Sequence, residues 1–162
     1  IDFCGNDMYI LKGEIDKLCA VCTSVSKAEI EKYCCSNMEY QTFDLSEALS
    51  AGNISKVREI FLNLKQKKAD PLLIMGTLTK NFYDMLIAKE ARKEGISSAQ
   101  MAKDFAMNSW VAEKRSKSVL NIKREYLEKA VSLCAECDRK LKSFSADQYA
   151  HIELLLEKLI AK

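Results

Sequence analysis

The chain has 162 residues, 48% of them hydrophobic and 30% charged, which is enough apolar material for one ordinary domain with its own core. Five glycines and one proline are few against the roughly 12% of a typical chain, and this disfavours a turn-rich β-sandwich, a disordered chain or a collagen-like one. The formal net charge of +2 points to no particular partner, and no apolar run approaches the ~18–20 residues that span a bilayer.

Helix signals follow one another at short intervals. Asp7 can cap a helix running to about Cys22, with Ile10, Leu11, Ile15, Leu18 and Cys22 on one stripe. Ser26-x-x-Glu29 is a capping box that opens a short helix ending near Cys35. Residues 36–41 read as a linker. Phe43 to Leu49 is a helix stopped by Gly52, and Asn53 caps the next, through about Lys67. Asp70-Pro71 is the clearest start: an N-cap followed by proline at the first helical position, where a missing N–H costs nothing. That helix carries Leu72, Met75, Leu78, Phe82, Met85 and Leu86 and ends at Gly95, a good residue just past a helix end. Ser97-x-x-Gln100 reads as a second capping box, for a helix to about Ala106. Asn108 or Ser109 starts another helix around Trp110, Asn121 caps a long one to about Lys142, residues 143–147 turn, and Tyr149–Ile160 closes the chain. No stretch alternates strictly, so the fold expected is all-α: a helical bundle with short loops and antiparallel neighbours.

Charge and cysteine divide the chain. Residues 1–44 hold eight acids and four lysines, and five of the seven cysteines, so a boundary is expected near residues 40–44. An odd number of cysteines, two of them adjacent (Cys34 and Cys35), argues against a secreted disulfide scaffold and for a reducing cytoplasm. Cys19-x-x-Cys22 and Cys134-x-x-Cys137 each have the spacing of half a zinc site. Both lie inside helical patterns without a glycine-rich knuckle, so small core residues are the first reading and zinc the alternative. The start at Ile1 suggests a piece of a longer protein.

Catalytic signals are missing. No phosphate-cradling glycine loop is visible, and His151, the one histidine, lies mid-helix among Tyr149, Ile152 and Leu155, where a structural role is the ordinary one. No enzyme activity and no cofactor are expected of this chain. Basic residues cluster at Lys114, Arg115, Lys117, Lys123 and Arg124, and again at Arg139, Lys140 and Lys142 beside Phe144 in a Ser-Phe-Ser turn. Such clusters either form a solvated helix face or meet phosphates, and an exposed turn aromatic can stack on a base. Trp110 and Tyr126 fall at core positions.

The order of motifs resembles the delta subunit of bacterial DNA polymerase III. The resemblance is carried by Gly5-Asn-Asp7 with Glu14 to Leu18, Phe43 to Leu49, Asp70 to Ile74, Gly95 to Ala102, Ser109 to Lys114, Ala135 to Ser143, and Glu153 to Leu159. The chain departs from the pattern at Ser109, where a proline is usual, at Phe144, where a glycine is, and in its early cysteines. The resemblance implies a place in the clamp loader, the AAA+ machine that puts a sliding clamp onto primed DNA. Residues 1–40 then resemble the end of the helical AAA+ lid domain, and 41–162 the C-terminal collar domain that assembles the loader's pentamer. Implied partners are the ATPase (gamma/tau) and delta prime subunits, with primed DNA in the assembled complex. The sliding clamp would be reached only through the N-terminal domain, and no membrane is implied. The parent holoenzyme is a DNA-directed DNA polymerase. On this reading Arg139, Lys140, Lys142 and Phe144 are the candidates to face the template strand, followed by Lys114, Arg115, Lys117 and Arg124. An independent zinc-binding domain and a stand-alone DNA-binding helical domain are the alternatives.

Overall fold

Why each helix starts where it does is mostly a matter of capping. The computed structural model describes residues 8–34, 38–143 and 147–161, and among these finds helices α1 Met8–Val21, α2 Lys27–Tyr33, α3 Met38–Ala51, α4 Ile54–Gln66, α5 Pro71–Lys93, α6 Ser98–Asp104, α7 Ser109–Ser118, α8 Arg124–Lys142 and α9 Gln148–Ile160, with a 3-10 turn at Val119–Asn121. There is no strand among the described residues. The Ser26–Glu29 box closes in both directions. Asn53, Asp70, Ser97, Asn108 and Asp147 each accept from a backbone amide of the first turn they precede. The box expected at Ser97 is half made: Ser97 accepts from the Gln100 amide, but the Gln100 side chain turns forward to Asp104 at 2.6 Å.

Three boundaries differ from the sequence expectation. The linker expected over 36–41 is helical from Met38 on, so α3 starts five residues before Phe43. Gln41 and Thr42 are buried, and the Thr42 hydroxyl donates to the Met38 carbonyl at 2.9 Å, one turn back. The helix expected to run to Ala106 ends at Asp104, because Ala106 takes φ 50° and the Met107 amide reaches the Ala102 carbonyl, a left-handed end made without glycine. Asn121 caps nothing; it closes the 3-10 turn, and α8 starts three residues later behind Lys123.

α5, at 23 residues, is the axis. Its left-handed Gly95 (φ 73°) lets the chain leave cleanly. α3, α7 and α8 pack around it, α9 lies against α4 and α8, and α6 rests on α7. α5 and α8 run antiparallel: Phe82 meets Tyr126 edge-on at 6.4 Å, and Glu90, further along α5, meets Arg124, earlier in α8. α8 and α9 form an antiparallel pair tied by Gln148 to the Leu141 carbonyl. One apolar core runs from Leu45 to Leu159 through α3–α9. α1 and α2 pack on each other and add nothing to it. Of the stripe expected on α1 only Leu18 is buried; Ile10 and Ile15 are exposed, because no other described element covers that face.

Candidate assembly and nucleic-acid surface

Arg115 departs furthest from its sequence reading. It was a candidate for facing DNA, and it is fully buried. α7 aims it inward at α3, where Nη1 donates to Glu47 Oε1 at 2.6 Å and Nη2 to Ser46 Oγ at 3.3 Å, while Cζ lies 3.7 Å from the centre of the Phe43 ring. Nε has no partner among the described residues. Burial lowers its pKa to about 10, against the opposing pull of Glu47 and Asp84. A guanidinium so enclosed cannot reach a phosphate, and the expectation for Arg115 is corrected: it ties α7 to α3.

Next to it lies an aromatic cluster. Trp110, expected in the core, is 40% exposed and stacks on Phe43 with ring centres 5.6 Å apart. Lys114 holds its ammonium over the same two rings, at 4.1 Å from Phe43 and 4.9 Å from Trp110. Its cation is engaged on the protein.

The remaining basic candidates lie on the surface, and most are matched by acids one turn away. Lys117 pairs with Glu113, Arg124 with Glu128 and Glu90, Lys140 with Glu136, and Lys142 with Asp138. Arg139 is exposed and in no ion pair among the described residues. Phe144 lies outside the described residues. The two clusters do not form one patch: Arg124 and Arg139 sit at opposite ends of α8, about 22 Å apart along its axis. Sequence reasoning missed Lys89, whose ammonium donates to the Val119 and Leu120 carbonyls and satisfies the end of the 3-10 turn. A lysine in the charged run that ends a helical pattern gives no sign of that reach.

The cysteine pairs divide. Cys134 and Cys137 are buried in the core, and burial pushes the Cys134 thiol up to about 12. Cys137 is raised for the same reason, and its thiol meets the His151 carbonyl at 3.5 Å. Cys19 is exposed and Cys22 partly so, and no group of three or more His, Cys, Asp or Glu among the described residues is placed to hold a metal ion. Cys4 and Cys35 lie outside the described residues.

Apolar side chains, by contrast, remain on the outside. Leu62 on α4, Leu72, Leu73 and Tyr83 on α5 and Leu154 on α9 are exposed on the bundle, and Met8, Tyr9, Ile10, Ile15 and Val21 on α1. A shallow groove between α8 and α9 is lined by Leu133, His151 and Leu154 with Glu136, Lys140 and Lys158 at its rim. No helix among the described residues is long and apolar enough to cross a membrane.

The described residues form an all-helical bundle with a complete core and apolar side chains left on its outer faces. The chain belongs to the family of the DNA polymerase III delta subunit, C-terminal domain, whose pattern matches residues 39–159. Among solved structures it is similar to the DNA clamp loader delta protein of Bacillus subtilis, with a TM-score of 0.80 and 20% identity. The alignment covers 93% of this chain and 45% of the Bacillus one, so the chain spans less than half of that protein's length. Comparison with curated proteins gives no match.

Proposed function

We propose that this chain is part of a clamp-loader delta subunit and serves as an assembly module. Residues from about 41 onward act as the collar that joins the ATPase and delta prime subunits into a pentamer, which loads the sliding clamp onto primed DNA. Residues 1–40 act as the end of the AAA+ lid domain. The observation that supports this most is the set of apolar side chains left outside a complete core on α4, α5 and α9, together with family membership over 39–159. A wedge held between two neighbours needs apolar faces beyond its own core, with interfaces of at least ~1,200 Å² in total. The test is to mix the chain with purified ATPase and delta prime subunits and measure mass by light scattering after gel filtration. A complex of defined stoichiometry is expected. A folded chain that stays alone with both subunits refutes the reading.

A DNA contact through Arg139, Lys140, Lys142 and Phe144 is a narrower second reading. It is favoured by Arg139 being exposed and in no ion pair among the described residues, and by exposed one-turn pairs being weak enough for Lys140 and Lys142 to change partners. Charge reversal at these three cations is expected to weaken primed-DNA binding by the assembled loader and flatten its salt dependence. An unchanged salt slope ends this reading and leaves the assembly reading standing.

A further inference from the structure

Gly76 has no explanation among the described residues. It lies in the interior of α5, where glycine is the least favourable residue short of proline. Its φ is not in the left-handed region, and a Cβ placed on it would meet nothing within 4 Å. It therefore makes room for no neighbour within the bundle. Leu72, Gly76 and Tyr83 fall within about 40° of one another around the helix, with Ile87, partly buried against the core, at about 60° and Leu73 on the flank at about 100°. Leu73 is 55% exposed and Tyr83 54%. Over residues 72–87 the only exposed charge is Lys80, already held by Asp84 at 2.8 Å. Of the other exposed leucines, Leu154 shares α9 with Glu153, Glu157 and Lys158, Leu62 shares α4 with Arg58 and Lys65, and Leu120 stands alone in the 3-10 turn.

We propose that this face of α5 receives a helix of a neighbouring clamp-loader subunit, the two backbones approaching most closely at Gly76. The inference rests on the assembly reading above and adds the face. The occupant follows from size and charge. The exposed stripe from Leu72 to Tyr83 is about 16 Å long and one helix, about 10 Å, wide. That is roughly a fifth of the ~800 Å² per partner that a stable independent interface buries. A free second copy of the chain would not be held by it, whereas a subunit anchored elsewhere in a multi-subunit assembly would. The matching helix presents apolar side chains with a carboxylate opposite Lys80.

The test uses the whole chain with purified ATPase and delta prime subunits. Gly76→Ala and Gly76→Gln are expected to fold with a Tm at or above that of the parent, since both residues favour helix and the added atoms have space. Gly76→Gln and Tyr83→Glu are expected to weaken binding of one subunit at least tenfold, whereas Lys103→Glu on the exposed face of α6 leaves that same contact unchanged. Two results overturn the proposal alone: subunits that bind Gly76→Gln and Tyr83→Glu as tightly as the parent, or a parent chain that self-associates through this face so that Gly76→Gln makes it monomeric. If the parent binds neither subunit, the assembly reading and this inference fall together.

Discussion

Arg115 is a fully buried charge in a bundle whose core is mostly leucine, phenylalanine and methionine around α5, with Asp84 the other buried charged side chain among the described residues. Taking a guanidinium out of water is expensive, and its compensation is specific: Glu47, Ser46 and the face of Phe43. Removing the side chain leaves Glu47 without its partner and opens a void. Arg115→Ala is therefore expected to destabilise the fold by roughly 3–5 kcal/mol in urea denaturation, and Arg115→Lys to recover little, because an ammonium cannot serve Glu47 and Ser46 in one plane. Cys134 gives a second expectation. Its thiol titrates near 9 when unfolded and about 12 when folded, so the folded state holds the proton more tightly. That stabilising contribution is complete below pH 9 and is lost as pH rises toward 12. Tyr126, raised from 10.0 to about 12, acts in the same direction from pH 10, while Arg115, lowered to about 10, acts in the opposite one. Between pH 9 and 10, stability is expected to fall with pH, and less steeply in Cys134→Ala; thermal melts at closely spaced pH values check it. A sequence shows neither fact. Arg115 reads as one more cation in a basic run until α3 is known to lie against α7.

The helices show where local signals suffice. Asp70-Pro71, Ser26-x-x-Glu29 and Asn53 act where the sequence puts them, because a cap needs only the three residues that follow it. Asp70→Ala is expected to cost about 1 kcal/mol, measured as a shift in denaturation midpoint. The failures share a cause. α3 starts early because Gln41 and Thr42 are covered by the rest of the bundle, not because Met38 to Thr42 carries a signal. α6 ends early at a left-handed alanine where glycine would have announced the stop. Since L-residues are strained there, Ala106→Gly is expected to raise stability by about 0.5–1 kcal/mol, net of glycine's greater freedom in the unfolded chain.

At the scale of the whole molecule, the single core from α3 to α9 and the separate α1–α2 pair make a further expectation. Deleting residues 1–37 should leave the midpoint and cooperativity of unfolding nearly unchanged, because no described side chain of α1 or α2 enters the core. A large loss of cooperativity would mean that the pair carries part of the bundle's stability. The sequence by itself determined the class of the fold, most of the caps, most helix spans and the family resemblance, since all of these are written in short-range spacing and residue order. Four of the surface basic candidates are matched by acids one turn away, which helical spacing already offers. Tertiary structure decided the rest: Lys114 lies over the Phe43 ring, Arg115 is inside against Glu47, and Arg139 is in no ion pair among the described residues. It also decided which apolar residues stay outside the core, Leu72, Leu73 and Tyr83 among them. Amphipathic periodicity gives a helix an apolar face, but only the packing of other helices settles how much of that face is already covered and how much is left for another chain.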